Sequence, residues 1–155
     1  SLIKACINRA LRFDPNGKEK ELTMALDREN RNIGYRLGRL FATLEKIQRE
    51  ASPDINATIR DRFYGAASST PATVFGNLMR LKNHHLAKLE HPGRRINLER
   101  LLGEIHDGID DYPAHLRIGD QGRFAIGYYH QRQDFYTKKE DREVASDQPA
   151  SGQDK

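Results

Sequence analysis

The chain has 155 residues, of which 37% are hydrophobic and 31% charged, with no tryptophan and a formal net charge of +4. That length fits one domain in the usual range of about 50–250 residues, and no run approaches the ~20 apolar residues that a membrane span needs. No signal peptide is predicted at the N-terminus, and the lone Cys6 excludes an intramolecular disulfide, so a reducing cytoplasmic setting is expected.

Residues 2–13 predict a short helix with Leu2, Ile3, Ile7 and Leu11 on one side. Asp14-Pro15-Asn16-Gly17 is a turn, because proline presets φ and glycine tolerates positive φ. Residues 18–26 mix charges with a few apolar side chains and give no clear pattern. The first strong helix spans 29–51, with Ile33, Leu37, Leu40, Phe41, Leu44 and Ile47 within an arc of about 120°. Ser52-Pro53-Asp54 ends it. A second helix is expected over 56–67 with Asn56 as N-cap. Thr70-Pro71 opens a third that runs to Leu89, where Pro92-Gly93 breaks the pattern. A fourth, over 97–110 with Asn97 as cap, places Leu98, Leu101, Leu102, Ile105 and Ile109 at spacings of three and four. A fifth is capped by Asp120 and runs to Lys138. Its aromatics fall in two adjacent rows, Phe124, Tyr128 and Phe135 beside Tyr129 and Tyr136, so it is expected between neighbours.

The resulting expectation is an all-α bundle of four to five helices with a disordered, acidic C-terminal tail. Three regions follow: an N-terminal helix and linker over 1–27, a helical bundle over 28–139, and a tail over 140–155 too poor in apolar residues to offset its ordering entropy. Their net charges are +1, +6 and −3, so the body is more basic than the chain average.

Opposite the apolar arc of the first strong helix stand Arg28, Arg31, Tyr35, Arg39, Lys46 and Arg49, with Glu45 at the edge. A solvated helix face usually mixes signs, because i,i+4 ion pairs are favourable. A face of one sign points to an acidic partner, of which nucleic acid is the commonest, though an ordinary charged surface explains it equally well. Arg80 and Lys88 add an outward basic edge on the third helix, with His84 between them, and Arg132 and Lys138 add another on the fifth. Arg132 is interleaved with aromatics of the kind that stack on unpaired bases, although the same rings also suit a core.

Nothing in the chain spells catalysis. Cys6 has no placeable base. His84 and His85 are adjacent, point about 100° apart on a helix, and cannot chelate together. His85 falls within the apolar arc and reads as a core or interface histidine. Gly119 and Gly122 lack the third glycine and preceding strand of a dinucleotide site. Glu104, Asp107, Asp110 and Asp111 cluster at a helix end, where a solvated terminus is the simpler reading than a metal site. No catalytic residue, metal or cofactor is expected.

Residues 121–139, QGRFAIGYYHQRQDFYTKK, resemble the C-terminal signature of the large subunit of the CRISPR type I-C surveillance complex, Cascade. Four more blocks agree in order: NIGYRLGRLFA from Asn32, NATIR from Asn56 leading into FYGAASSTPATVF from Phe63, His84-His85-Leu86, and Pro113-Ala114-His115-Leu116. The resemblance covers about residues 28–139 and implies a chain equivalent to the C-terminal helical region of that subunit. In this family the same region resembles a separate small subunit made by internal translation. Ser1 after an excised initiator Met suits that origin, as does a start at Met24, while an excised domain is the competing one.

The family implies a non-enzymatic role in antiviral defence: small subunits lie beside the backbone subunits and stabilise the R-loop by electrostatic contact with the displaced strand. The expected partners are therefore the Cascade large subunit and backbone subunits, the CRISPR RNA–DNA R-loop with its displaced single-stranded DNA, and a second copy of the chain, with no membrane. The candidate nucleic-acid-binding residues are Arg28, Arg31, Arg39, Lys46, Arg49, Arg80, Lys88, Arg132 and Lys138. Arg36 and Arg39 lie inside a resembling block, which also admits a structural role for both. The alternative is a purely structural module whose basic face docks on acidic protein. A nuclease using Glu104, Asp107 and Asp110 is a remote third reading.

Overall fold

The computed structural model describes residues 25–146, with side-chain burial defined through 143. The expected helix at 2–13, the turn at 14–17, Cys6, Met24 and residues 147–155 of the tail lie outside the described residues. Within them the chain is all helical: α1 (Ile33–Ala51), α2 (Ile59–Ser69), a 3₁₀ turn (Pro71–Thr73), α3 (Phe75–Ala87), α4 (Pro92–His106) and α5 (Ile118–Ser146). No described helix is long and apolar enough to cross a membrane.

The caps show where sequence signals placed these ends and where they misplaced them. Asn32 caps α1 by accepting a bond from the Tyr35 amide at 3.1 Å, so the helix starts four residues later than its apolar periodicity suggests. Thr58, not Asn56, caps α2, and it forms a reciprocal capping box with Asp61. Pro71 opens a 3₁₀ turn, and the α-helix begins only at Phe75. Pro92 corrects the reading most. It sits at the first position of α4, where its missing N–H costs nothing, so the residue taken as a breaker is a starter and Asn97 lies inside the helix. α5 continues to Ser146, so residues 140–146 of the expected disordered tail are helical.

α1 is the axis of the bundle. It touches α2, α3, α4 and α5, and thirteen of its 19 residues are buried. Phe41 is its centre, with rings of Tyr64, Phe75, Phe124 and Tyr128 between 5.8 and 6.4 Å from its own. Leu98, Leu102 and Ile105 of α4 and Leu78 and Leu86 of α3 close the remaining sides. The expected apolar arc is therefore real and buried.

The side of α1 opposite that arc is buried too, against α5. Glycines make this possible. A Cβ on Gly34 would stand 2.2 Å from the Asp120 carbonyl oxygen, one on Gly38 2.0 Å from that of Phe124, and one on Gly127 2.1 Å from that of Tyr35. The two backbones touch, which only residues without a side chain permit. Gly34 meets Asp120, Gly38 meets Phe124 and Tyr128, and Arg39 meets Gln131, so contacts advance in the same sense along both helices. α1 and α5 are parallel, and their C-terminal halves lie side by side.

Candidate nucleic-acid interface

The single-sign face expected on α1 does not survive as a surface. Arg39, in the middle of it, is 3% exposed in the seam with α5, where its Nε donates to Gln131 Oε1 at 3.1 Å. Burial pushes its guanidinium pKa below the ordinary value. Arg39 is thus a correction to the binding set: it holds two helices together and offers nothing to a phosphate. Tyr35 is buried beside it, accepting the Asp27 amide at 2.9 Å and sharing a 2.9 Å bond with His130 Nδ1. The wheel placed both residues opposite the core correctly; what it lacked was the second helix covering that side.

Carboxylates also reach the stripe, from α4 and α5 and from i,i+4 positions within α1 itself. Arg28 lies 3.9 Å from Glu104 and 3.8 Å from Asp134. Lys46 lies 3.4 Å from Glu50, which Arg94 of α4 grips with two nitrogens. Burial raises the Glu50 pKa, but the hydrogen bonds and charges of Arg94 and Lys46 outweigh it and hold the carboxyl below its usual range. Arg49 lies 3.5 Å from Glu45. Lys138 pairs with Asp134 at 3.0 Å. Arg31 is exposed at a shallow depression that also holds Arg36, Glu104, Asp107 and Asp110, so those carboxylates face arginines. No group of three or more His, Cys, Asp or Glu among the described residues is placed to hold a metal ion. Arg80, bonded to Asn77 at 2.7 Å, and Lys88, at the α3 C-terminus, are both exposed on α3. His85 is half-buried with Nδ1 unpartnered, and burial lowers its pKa.

Three of the expected residues do converge. Because α1 and α5 run parallel, Lys46 and Arg49 stand beside Arg132, around a small pocket completed by Ala42, Glu45, Phe135 and Tyr136. Lys46 Nζ sits 5.9 Å from the Phe135 ring centroid, and the Arg132 guanidinium 5.8 Å from that of Tyr136. The Tyr136 phenol pKa is lowered, chiefly by hydrogen bonding from the Arg132 guanidinium; burial opposes this, and the charges of Arg132, Arg49 and Lys46 add smaller lowering effects.

The floor of this pocket is an anion. Glu45 is 3% exposed and accepts the Tyr128 hydroxyl at 3.0 Å and Thr58 Oγ1 at 3.4 Å. Burial, and then the Glu45 charge, push the Tyr128 phenol far above its ordinary pKa. The carboxylate is tied into the core by two hydroxyls, while the Arg49 side chain beside it stays 47% exposed.

Arg60 of α2 belongs to the same neighbourhood; it closes the NATIR block, and nothing in the sequence marks it as part of this surface. Its guanidinium lies 5.5 Å from the Tyr128 ring centroid and 5.8 Å from that of Tyr129, and Nη2 donates to the Tyr129 hydroxyl at 2.9 Å. The aromatic rows of α5 divide accordingly: Phe124 and Tyr128 are fully buried, while Tyr129 and Tyr136 are 41% and 48% exposed. A basic surface with partly exposed rings has the chemistry to hold a polyanion.

Compared with known families, residues 1–136 match the model described as CRISPR-associated protein (Cas_Csd1). No curated protein matches the chain.

Proposed function

The chain belongs to the CRISPR-associated Cas_Csd1 family, and from that premise we propose that it acts as a non-catalytic, small-subunit-like component of a cytoplasmic type I-C surveillance complex, stabilising the R-loop. In such a complex, pairing with the guide reads sequence, and the surrounding protein need only hold strands by their backbones. The observation that carries this reading is the convergence of Lys46, Arg49 and Arg132 on one spot of the parallel α1–α5 pair. Two of these cations are already paired within the fold, Lys46 with Glu50 and Arg49 with the buried Glu45. A phosphate bound there adds a second anionic partner to cations that the fold already holds in place.

The test is target-duplex affinity of the reconstituted complex with this chain wild type, omitted, or reversed at Lys46, Arg49 and Arg132. Both omission and reversal are expected to weaken R-loop formation while the complex still assembles. A reversal variant that supports the R-loop as well as wild type rejects the proposed surface.

A second reading, a module that docks on acidic protein, draws on Arg80 and Lys88, which lie exposed on α3. It predicts that reversing these two lowers occupancy of the chain in the complex and leaves the salt dependence of DNA binding unchanged.

A further inference from the structure

Tyr129, Arg132 and Tyr136 occupy one face of α5. Seven residues turn a helix by nearly two whole turns, so the two tyrosines share a direction and lie about 10.5 Å apart along the axis. They are the most exposed aromatic rings among the described residues, in a fold whose other large aromatics are buried or half-buried. Each is matched with one cation. Arg132 sits over the Tyr136 ring at 5.8 Å, and Arg60 fixes Tyr129 by its hydroxyl. A partly exposed ring contributes little to the core, whereas a ring paired with an arginine offers a base its exposed π-surface and the neighbouring phosphate a charge.

We propose that Tyr129 and Tyr136, with Arg60 and Arg132, form a two-ring stacking platform that makes this surface select unpaired DNA over duplex. The inference rests on the functional reading above and deepens it: the cations hold the backbone of the displaced strand, and the rings hold its bases. Stacking needs a base free of its partner, so a duplex, whose bases are already stacked, engages only the cations. The contribution is independent of sequence, because every base has a π-face. The electrostatic environment agrees with that division, since Lys46, Arg49 and Arg132 all bear on the Tyr136 ring.

The test is a titration of the full chain at low salt with an oligothymidylate, an oligouridylate and a duplex. It is followed by fluorescence anisotropy and, into the millimolar range, by the ring-proton resonances of the tyrosines. Tyr129→Leu and Tyr136→Leu are compared with Tyr136→Phe and with Lys46→Glu/Arg49→Glu. Each leucine variant is expected to weaken oligothymidylate binding about fivefold or more, with duplex binding and the salt slope unchanged, and Tyr136→Phe is expected to retain wild-type affinity. The charge variant is expected to weaken single strand and duplex alike. Tighter binding of uridylate than thymidylate overturns the assignment of DNA as the strand. Leucine variants that bind oligothymidylate like wild type, while the charge variant does not, overturn the platform and leave the functional reading standing. Absence of any nucleic-acid binding at millimolar concentration overturns both.

Discussion

Arg39 and Arg49 are ten residues apart on one helix, carry the same charge, and do opposite work. Arg49 stands at the open end of the α1–α5 seam and is half exposed, whereas Arg39 is sealed inside it with Gln131. Arg39→Ala leaves a buried acceptor unpaired and is expected to lower stability by about 1–3 kcal/mol, measured by chemical denaturation. Arg49→Ala removes a half-exposed cation from a Glu45 carboxylate that keeps its Tyr128 and Thr58 donors, so it is expected to cost less stability than Arg39→Ala and to act on DNA retention instead. His130 sets a second residue-scale expectation. Burial lowers its pKa below 6.5, against the smaller raising effect of Asp27. The unfolded chain therefore binds the proton first as pH falls, and stability declines from about pH 6.5 downward until the folded-state pKa is passed. His85, also lowered by burial, adds to the same decline. His130→Phe is expected to flatten part of that slope in denaturation curves taken between pH 7.5 and 5 (roughly the His range).

At the scale of elements, the decisive contact is backbone on backbone. Gly38→Ala and Gly127→Ala each place a methyl about 2 Å from a carbonyl oxygen of the other helix, so α1 and α5 must separate. The expected loss is about 1–3 kcal/mol or more, read as a fall in the denaturation midpoint. Gly103→Ala, within α4 and facing open space, is the control and is expected to gain about 0.5–1 kcal/mol. These glycines also explain what periodicity missed. A helix wheel sorts residues by apolarity, and Gly34, Gly38, Tyr35 and Arg39 score as neutral or polar although they line a buried seam. The apolar arc of α1 and the number of helices were legible because each rests on local spacing, whereas Thr70-Pro71 marked only a 3₁₀ turn ahead of α3. The true starts of α2 and α4 were not, because Asn56 and Asn97 look like caps as good as Thr58 and His91 until the preceding loop is positioned.

For the whole molecule, the candidate site joins the consecutive helices α1 and α2 to α5, far along the chain. Lys46, Arg49 and Arg132 were each legible as basic residues, but only the parallel orientation of α1 and α5 joins them, and no local signal encodes orientation. Arg60 was invisible as a participant for the same reason. Removing one of these cations is expected to shift the log–log salt slope of single-strand binding by about 0.7, and of duplex binding by about 0.9. Measuring affinity across a salt series for Lys46→Ala, Arg49→Ala and Arg132→Ala, singly, shows which of them touch phosphate. A variant whose slope equals that of wild type does not.

The union of the first described helix with the last also sets a timetable. Gln131 follows its partner Arg39 by 92 residues, an interval a ribosome covers in roughly 5–18 s at about 5–20 residues per second. Throughout that interval α1, apolar on one side and glycine-lined on the other, has emerged without the strip of protein that completes it. α2, α3 and α4 can shield its apolar arc as they appear, but the seam stays open until α5 is made. A nascent chain stalled after α4 should therefore bind hydrophobic dyes and chaperones and resist them only once residues through Lys138 are clear of the exit tunnel, so that the same backbone contact that builds the proposed surface also delays its completion until α5 is made.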